Sequence, residues 1–72
     1  MTQMTYEQLW NWYGKTGREL QPDNTIYNLM VSHSNAHPGI AQYEVDNDIP
    51  LGQTSLIYVY ETYTGKKLEV VK

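Results

Sequence analysis

A chain of 72 residues with eight Asp or Glu against five Lys or Arg has a formal charge of −3 and a pI near 5.1; this argues against holding a phosphate backbone by bulk charge and favours a partner with a basic surface. With no cysteine, neither disulfides nor thiolate metal sites can reinforce what reads as one domain, residues 1–72, near the size at which a single core only just offsets chain entropy. No run approaches the ~20 apolar residues of a membrane helix, and the first residues lack the basic start and apolar core of a signal peptide, so a cytoplasmic setting is the expectation.

Thr5-Tyr6-Glu7-Gln8 has the form of a capping box, in which a threonine hydroxyl and a glutamine side chain each satisfy the other's backbone amide, so a helix should begin there. At helical spacing Tyr6, Leu9, Trp10, Tyr13, Gly17 and Leu20 share one face, with Glu7, Gln8, Asn11, Lys15 and Arg18 opposite. Gly17 on the apolar face would allow close approach to whatever covers it. Gly14 and Gly17 together weaken the helix by ~2 kcal/mol, so a break near Gly14 is the alternative. Pro22-Asp23-Asn24 ends the element in a turn.

Thr25 to Ser32 alternates, with Tyr27, Leu29 and Val31 on one side, and reads as a strand. Ser32 to Gly39 is rich in turn formers and reads as an exposed loop. Ile40 to Asp46 alternates Ala41, Tyr43 and Val45 against Gln42, Glu44 and Asp46, the pattern of a half-buried strand. Asp46 to Gln53 makes a polar loop. The densest strand-forming chemistry lies at Ser55 to Tyr63, followed by Thr64-Gly65-Lys66 and the apolar run Lys67 to Lys72, which together read as a β-hairpin. Alternation places Ile57, Val59, Leu68 and Val70 inward and Tyr58, Tyr60 and Thr62 outward, although Leu56 breaks the pattern and leaves the opposite register open. The expected fold is therefore α+β: one N-terminal helix packed on a four-stranded antiparallel sheet, in the order α-β-β-β-β.

Motifs for chemistry are incomplete. His33 and His37 have the H-x-x-x-H spacing that on a helix presents two imidazoles to a metal, but the segment reads as loop and lacks further ligands. Asp46-Asn47-Asp48 starts like a calcium loop, yet Leu51 and Ile57 stand where Gly and the bidentate Glu belong. Gly14-Lys15-Thr16 resembles the end of a phosphate-binding loop, with Leu9 where the first Gly should be. Ser32 or Ser34 with His33 or His37 could make a nucleophile and base, without a third group to orient them.

The functional expectation is a small, acidic, non-enzymatic protein-binding module that needs no cofactor. Its open sheet face would carry Tyr58 and Tyr60 as anchors, Glu44 and Glu69 as charged rim, and Trp12 at the edge of the helix. Blocking the basic surface of a nucleic-acid enzyme, in the manner of a phage or mobile-element inhibitor of the anti-CRISPR or anti-restriction type, is the specific form of that expectation. The alternatives are a sheet-face module for single-stranded nucleic acid and a metal-dependent enzyme using His33 and His37. A homodimer through the same face would also extend a small core.

Overall fold

The computed structural model describes residues 2–19 and 25–71. Strand β1 (Thr2–Thr5) leads directly into helix α1 (Tyr6–Glu19). Helices α2 (Thr25–Ala36), α3 (Ile40–Asp46) and α4 (Gln53–Thr64) follow, and strand β2 (Leu68–Val71) returns beside β1. The two strands run parallel, with Thr2 opposite Leu68 and Thr5 opposite Val71. The described residues thus form a helical array closed by a two-stranded parallel ladder, and the expected four-stranded antiparallel sheet under a single helix is overturned. The expected Leu20 face position and the Pro22-Asp23-Asn24 turn lie outside the described residues.

Helix α1 starts where the capping box puts it. The Gln8 amide donates to Thr5 Oγ1 at 3.1 Å and the Thr5 amide to Gln8 Oε1 at 2.9 Å. The helix runs unbroken through Gly14 and Gly17. Among the described residues, no atom beyond the helix's own neighbouring backbone lies within 4 Å of where a Gly17 Cβ would stand, so none of them packs closely on that glycine. Leu9 is fully buried, Trp12 and Tyr13 pack half-buried against the core, and Trp10 is 39% exposed.

The three segments expected as interior strands are helices, and burial follows the helical period in each. In α4 Leu56, Val59 and Tyr60 are buried, at spacings of three and four, whereas Ile57 is only half-buried. Leu56, the residue that broke the alternation, belongs to the apolar face of this helix. Gly65 takes φ of 73° and its amide donates to the Glu61 carbonyl at 2.9 Å, so the supposed hairpin turn is the left-handed C-terminal cap of a helix. In α2 Ile26 is buried with Met30 and His33 half-buried behind it, while Tyr27 and Val31 face solvent. In α3 the predicted inward set of Ala41, Tyr43 and Val45 is exposed, and Glu44 is buried instead.

The C-terminal run is a strand as expected, but its partner is β1 rather than Ser55–Tyr63. Leu68 meets Leu9, Leu56 and Tyr60 in the core, with Met4 and Val70 packed alongside. Side chains blunt both strands where open amides would invite further pairing: Gln8 takes the Thr5 amide, and Glu61 Oε2 takes the Leu68 amide at 2.9 Å. No helix among the described residues is long and apolar enough to cross a membrane.

Candidate functional site

Glu44 lines a concavity between α1, α2, α3 and the turn before α4. It projects from α3 toward the start of α4, where Gly52 precedes the first helical residue and leaves the first amides without carbonyl partners inside the helix. The Gly52 amide donates to Glu44 Oε1 at 3.0 Å and the Thr54 amide to Oε2 at 2.9 Å. A carboxylate there also sits favourably at the positive end of the helix. The side chain is 2% exposed, so it reaches those amides from inside the fold. Gly52 adopts φ of 86°, and a Cβ on it would lie 3.1 Å from Trp10 Cζ2. The backbone conformation and the close approach of the indole both require glycine at this turn.

Around this turn lies an open cavity of about 370 Å³, walled by Trp10 and Tyr13 of α1, Met30 of α2, Ile40 of α3, Leu51 and Glu44. Trp10 stands edge-on to Tyr13, ring centroids 5.8 Å apart at 88°, and edge-on to Tyr6 at 6.3 Å and 86°. The Tyr6 hydroxyl donates to the Leu51 carbonyl and ties α1 to the turn before α4. Burial pushes the Tyr13 phenol above its usual pKa, and Tyr27 pushes it the same way. Between residues 19 and 65 the chain holds six carboxylates and no Lys or Arg, so every fixed charge on α2, α3 and α4 is negative.

His33 lies beside the same cavity. Its Nδ1 is 3.0 Å from the hydroxyl of Ser55, which is 3% exposed in the first turn of α4. The ring also packs against His37 at 4.3 Å and Tyr58 at 4.6 Å. Burial lowers the His33 pKa below its ordinary value, His37 lowers it further, and Glu44 opposes the shift. Ser55 and His33 have the spacing of a nucleophile and a base. Yet Glu44 already accepts from the Gly52 and Thr54 amides at that helix end, where an oxyanion would need free donors. The pair ties α2 to α4. No cluster of three or more His, Cys, Asp or Glu able to hold a metal occurs among the described residues.

The structure separates the five residues singled out from the sequence. Tyr58 is 40% exposed, next to His33, whereas Tyr60 is 6% exposed in the core with Trp12 against it at 4.9 Å. Helical geometry turns Tyr58 and Tyr60 about 200° apart, where a strand would have set them side by side. Glu44 is a buried cap rather than a rim charge, and Glu69 is exposed on β2, accepting from Gln3 Nε2 at 3.4 Å. Trp12, expected at the edge of the helix's apolar face, is half-buried against the core. The expected functional face therefore does not form, and the nucleic-acid stacking platform built on Tyr58 and Tyr60 loses its sheet. The loop expected at Ser32–Gly39 is helical as far as Ala36, which is why His33 reaches Ser55.

What the sequence reading missed is the cavity, and with it Trp10, Tyr13 and Leu51. Helical spacing puts Trp10 and Tyr13 on one face, but their role depends on α3 and on Gly52, which are distant in sequence. No family model matches the chain, and comparison with curated proteins and with solved structures finds no match either.

Proposed function

We propose that this chain is a small protein-binding domain that acts by docking rather than by chemistry, with the cavity between α1, α2, α3 and the turn before α4 as its receptor for a partner's side chain. The observation that supports this reading most directly is an open, mainly apolar cavity of about 370 Å³ whose one charged lining side chain, among the described residues, is the carboxylate of Glu44. Binding sites of this size are concave and mostly apolar, with a few polar groups that fix orientation. Trp10 at 39% and Leu51 at 58% exposure offer apolar area that a folded monomer would otherwise leave in water. A carboxylate lining such a site, on a chain of net charge −3, favours encounter with a basic surface and disfavours acidic ones. Nucleic-acid enzymes, whose substrate channels are basic, are one class of partner with that character.

The test is selection of binders from a peptide library of mixed charge displayed against the immobilised domain. The expected result is enrichment of Lys- or Arg-bearing peptides with an apolar residue, lost on Leu51→Asp and retained on Tyr63→Ala, which lies outside the cavity. A selected set without basic enrichment, or one indifferent to Leu51→Asp, would count against the docking site.

A further inference from the structure

We infer that the cavity is a receptor for an organic ammonium group, of the kind carried by a lysine side chain or its methylated forms, held by the rings of Trp10 and Tyr13 and by the buried carboxylate of Glu44. This rests on the docking reading and names the chemistry of the group that docks. Three observations converge on a cation. The first is the aromatic wall: Trp10 and Tyr13, edge to face at 88° with centroids 5.8 Å apart, both line the cavity, and the face of an electron-rich ring attracts an ammonium ion. The second is Glu44, which lines the same cavity while 2% exposed. Its two hydrogen bonds to the Gly52 and Thr54 amides use about half of the lone-pair positions of a carboxylate, so its negative field is attenuated but still faces the site. The third is the absence of any competing Lys or Arg in residues 19–65; the nearest cations on α1, Lys15 and Arg18, are exposed.

The same geometry excludes an anion. The start of α4 would draw phosphate or carboxylate ligands through its free amides, and Glu44 occupies those amides from within. A neutral apolar ligand would fit the walls made by Met30, Ile40 and Leu51 and gain apolar contact with the rings, but no electrostatic attraction from Glu44 or the ring quadrupoles. Charge complementarity thus distinguishes the ammonium group from an aliphatic one of the same shape.

The experiment compares choline with its neutral isostere 3,3-dimethyl-1-butanol, and lysine amide with ε-trimethyl-lysine amide, by proton–nitrogen NMR of the whole chain. The Trp10 indole and the Gly52 amide should shift saturably with the cations, ε-trimethyl-lysine amide the tightest, and the neutral isostere should bind at least about ten-fold more weakly. Trp10→Leu keeps apolar volume but removes one ring face, so it should sharply reduce selectivity for the cation, to what Glu44 and Tyr13 supply, while leaving weak binding of the alcohol. Should that variant unfold, Tyr13→Leu serves the same purpose. Equal binding of choline and the alcohol would overturn the ammonium site. So would the absence of binding by both; if library peptides still bound in a Leu51-dependent way, the docking site itself would stand, and if they did not, both readings would fall.

Discussion

The beginnings of α1 and α4 solve the same problem with different ranges of contact. Each helix leaves its first amides without partners, and each is capped by side-chain oxygen. At α1 the donors and acceptors are three residues apart, Thr5 and Gln8 on the exposed surface. At α4 the acceptor is Glu44, eight and ten residues from the amides it serves, on another helix and almost wholly buried. The local cap defines a boundary; the distant one joins α3 to α4 and shapes the cavity between them. A helix start that depends on a distant residue is also a start that the local sequence does not announce.

The sharpest way to break this comparison is to remove the distant cap. Glu44→Ala should leave two part-buried amides unpartnered and cost about 2–4 kcal/mol, read as a lower urea midpoint with an unchanged slope. Glu44→Gln retains one acceptor oxygen and should cost roughly half as much. A loss below about 0.5 kcal/mol for Glu44→Ala would mean that water satisfies those amides and that the α3–α4 link is not structural.

How far the sequence carries follows from the same contrast. The start of α1 was legible because Thr5 and Gln8 hold all of its information within four positions. The C-terminal strand was legible too, since Leu68, Val70 and Val71 favour extended backbone, but its partner is 66 positions away in Gln3 and its neighbours, and no local signal points there. Segment Gln53–Thr64 misled because Ile57, Tyr58, Val59 and Tyr60 satisfy strand propensity at every position, so propensity outvoted the weaker evidence of Leu56 and of Gly52 and Gly65 at the two ends. In Thr25–Ala36 the set Ile26, Met30 and His33 was as regular as the alternating set Tyr27, Leu29 and Val31, and only packing against α4 decides between them. Tyr58 and Tyr60 were misassigned as neighbours for that reason alone: the wrong period puts both on one side.

A smaller effect should come from the tie between α2 and α4. Ser55→Ala should cost about 1–2 kcal/mol by leaving the His33 ring without its partner. The pH dependence follows from the lowered pKa of His33. Below its ordinary value of 6.5 the unfolded chain takes up a proton at His33 that the folded chain resists, so stability is full above that pH and declines as pH falls from there through the lower folded value. Urea midpoints at successive pH values should show this decline in the wild type and its loss in His33→Gln, which cannot titrate. Thr5→Ala removes the local cap at α1 and should cost about 0.5–1 kcal/mol, below the cost of Glu44→Ala; the reverse order would invalidate the contrast between surface and buried caps.

The smallest expected effect is at His37, and it separates the two causes of the His33 shift. His37 is exposed near the C-terminal end of α2, with its ring 4.3 Å from that of His33. Its substitution by Ala should change stability near neutral pH by less than about 0.5 kcal/mol, as at most surface positions. Its influence should emerge on acidification, because the neighbouring His37 makes protonation of His33 harder. Without His37 the folded-state pKa of His33 should rise toward its ordinary value, narrowing the pH window in which folded and unfolded chains bind different numbers of protons. Burial is the larger cause of the shift and Glu44 acts against it, so the window should narrow without closing. Proton NMR titration of the His33 ring in His37→Ala measures this directly. An unchanged titration would leave burial against Ser55 and Tyr58 as the whole cause, and a return to the ordinary value would assign the shift to the neighbouring histidine instead.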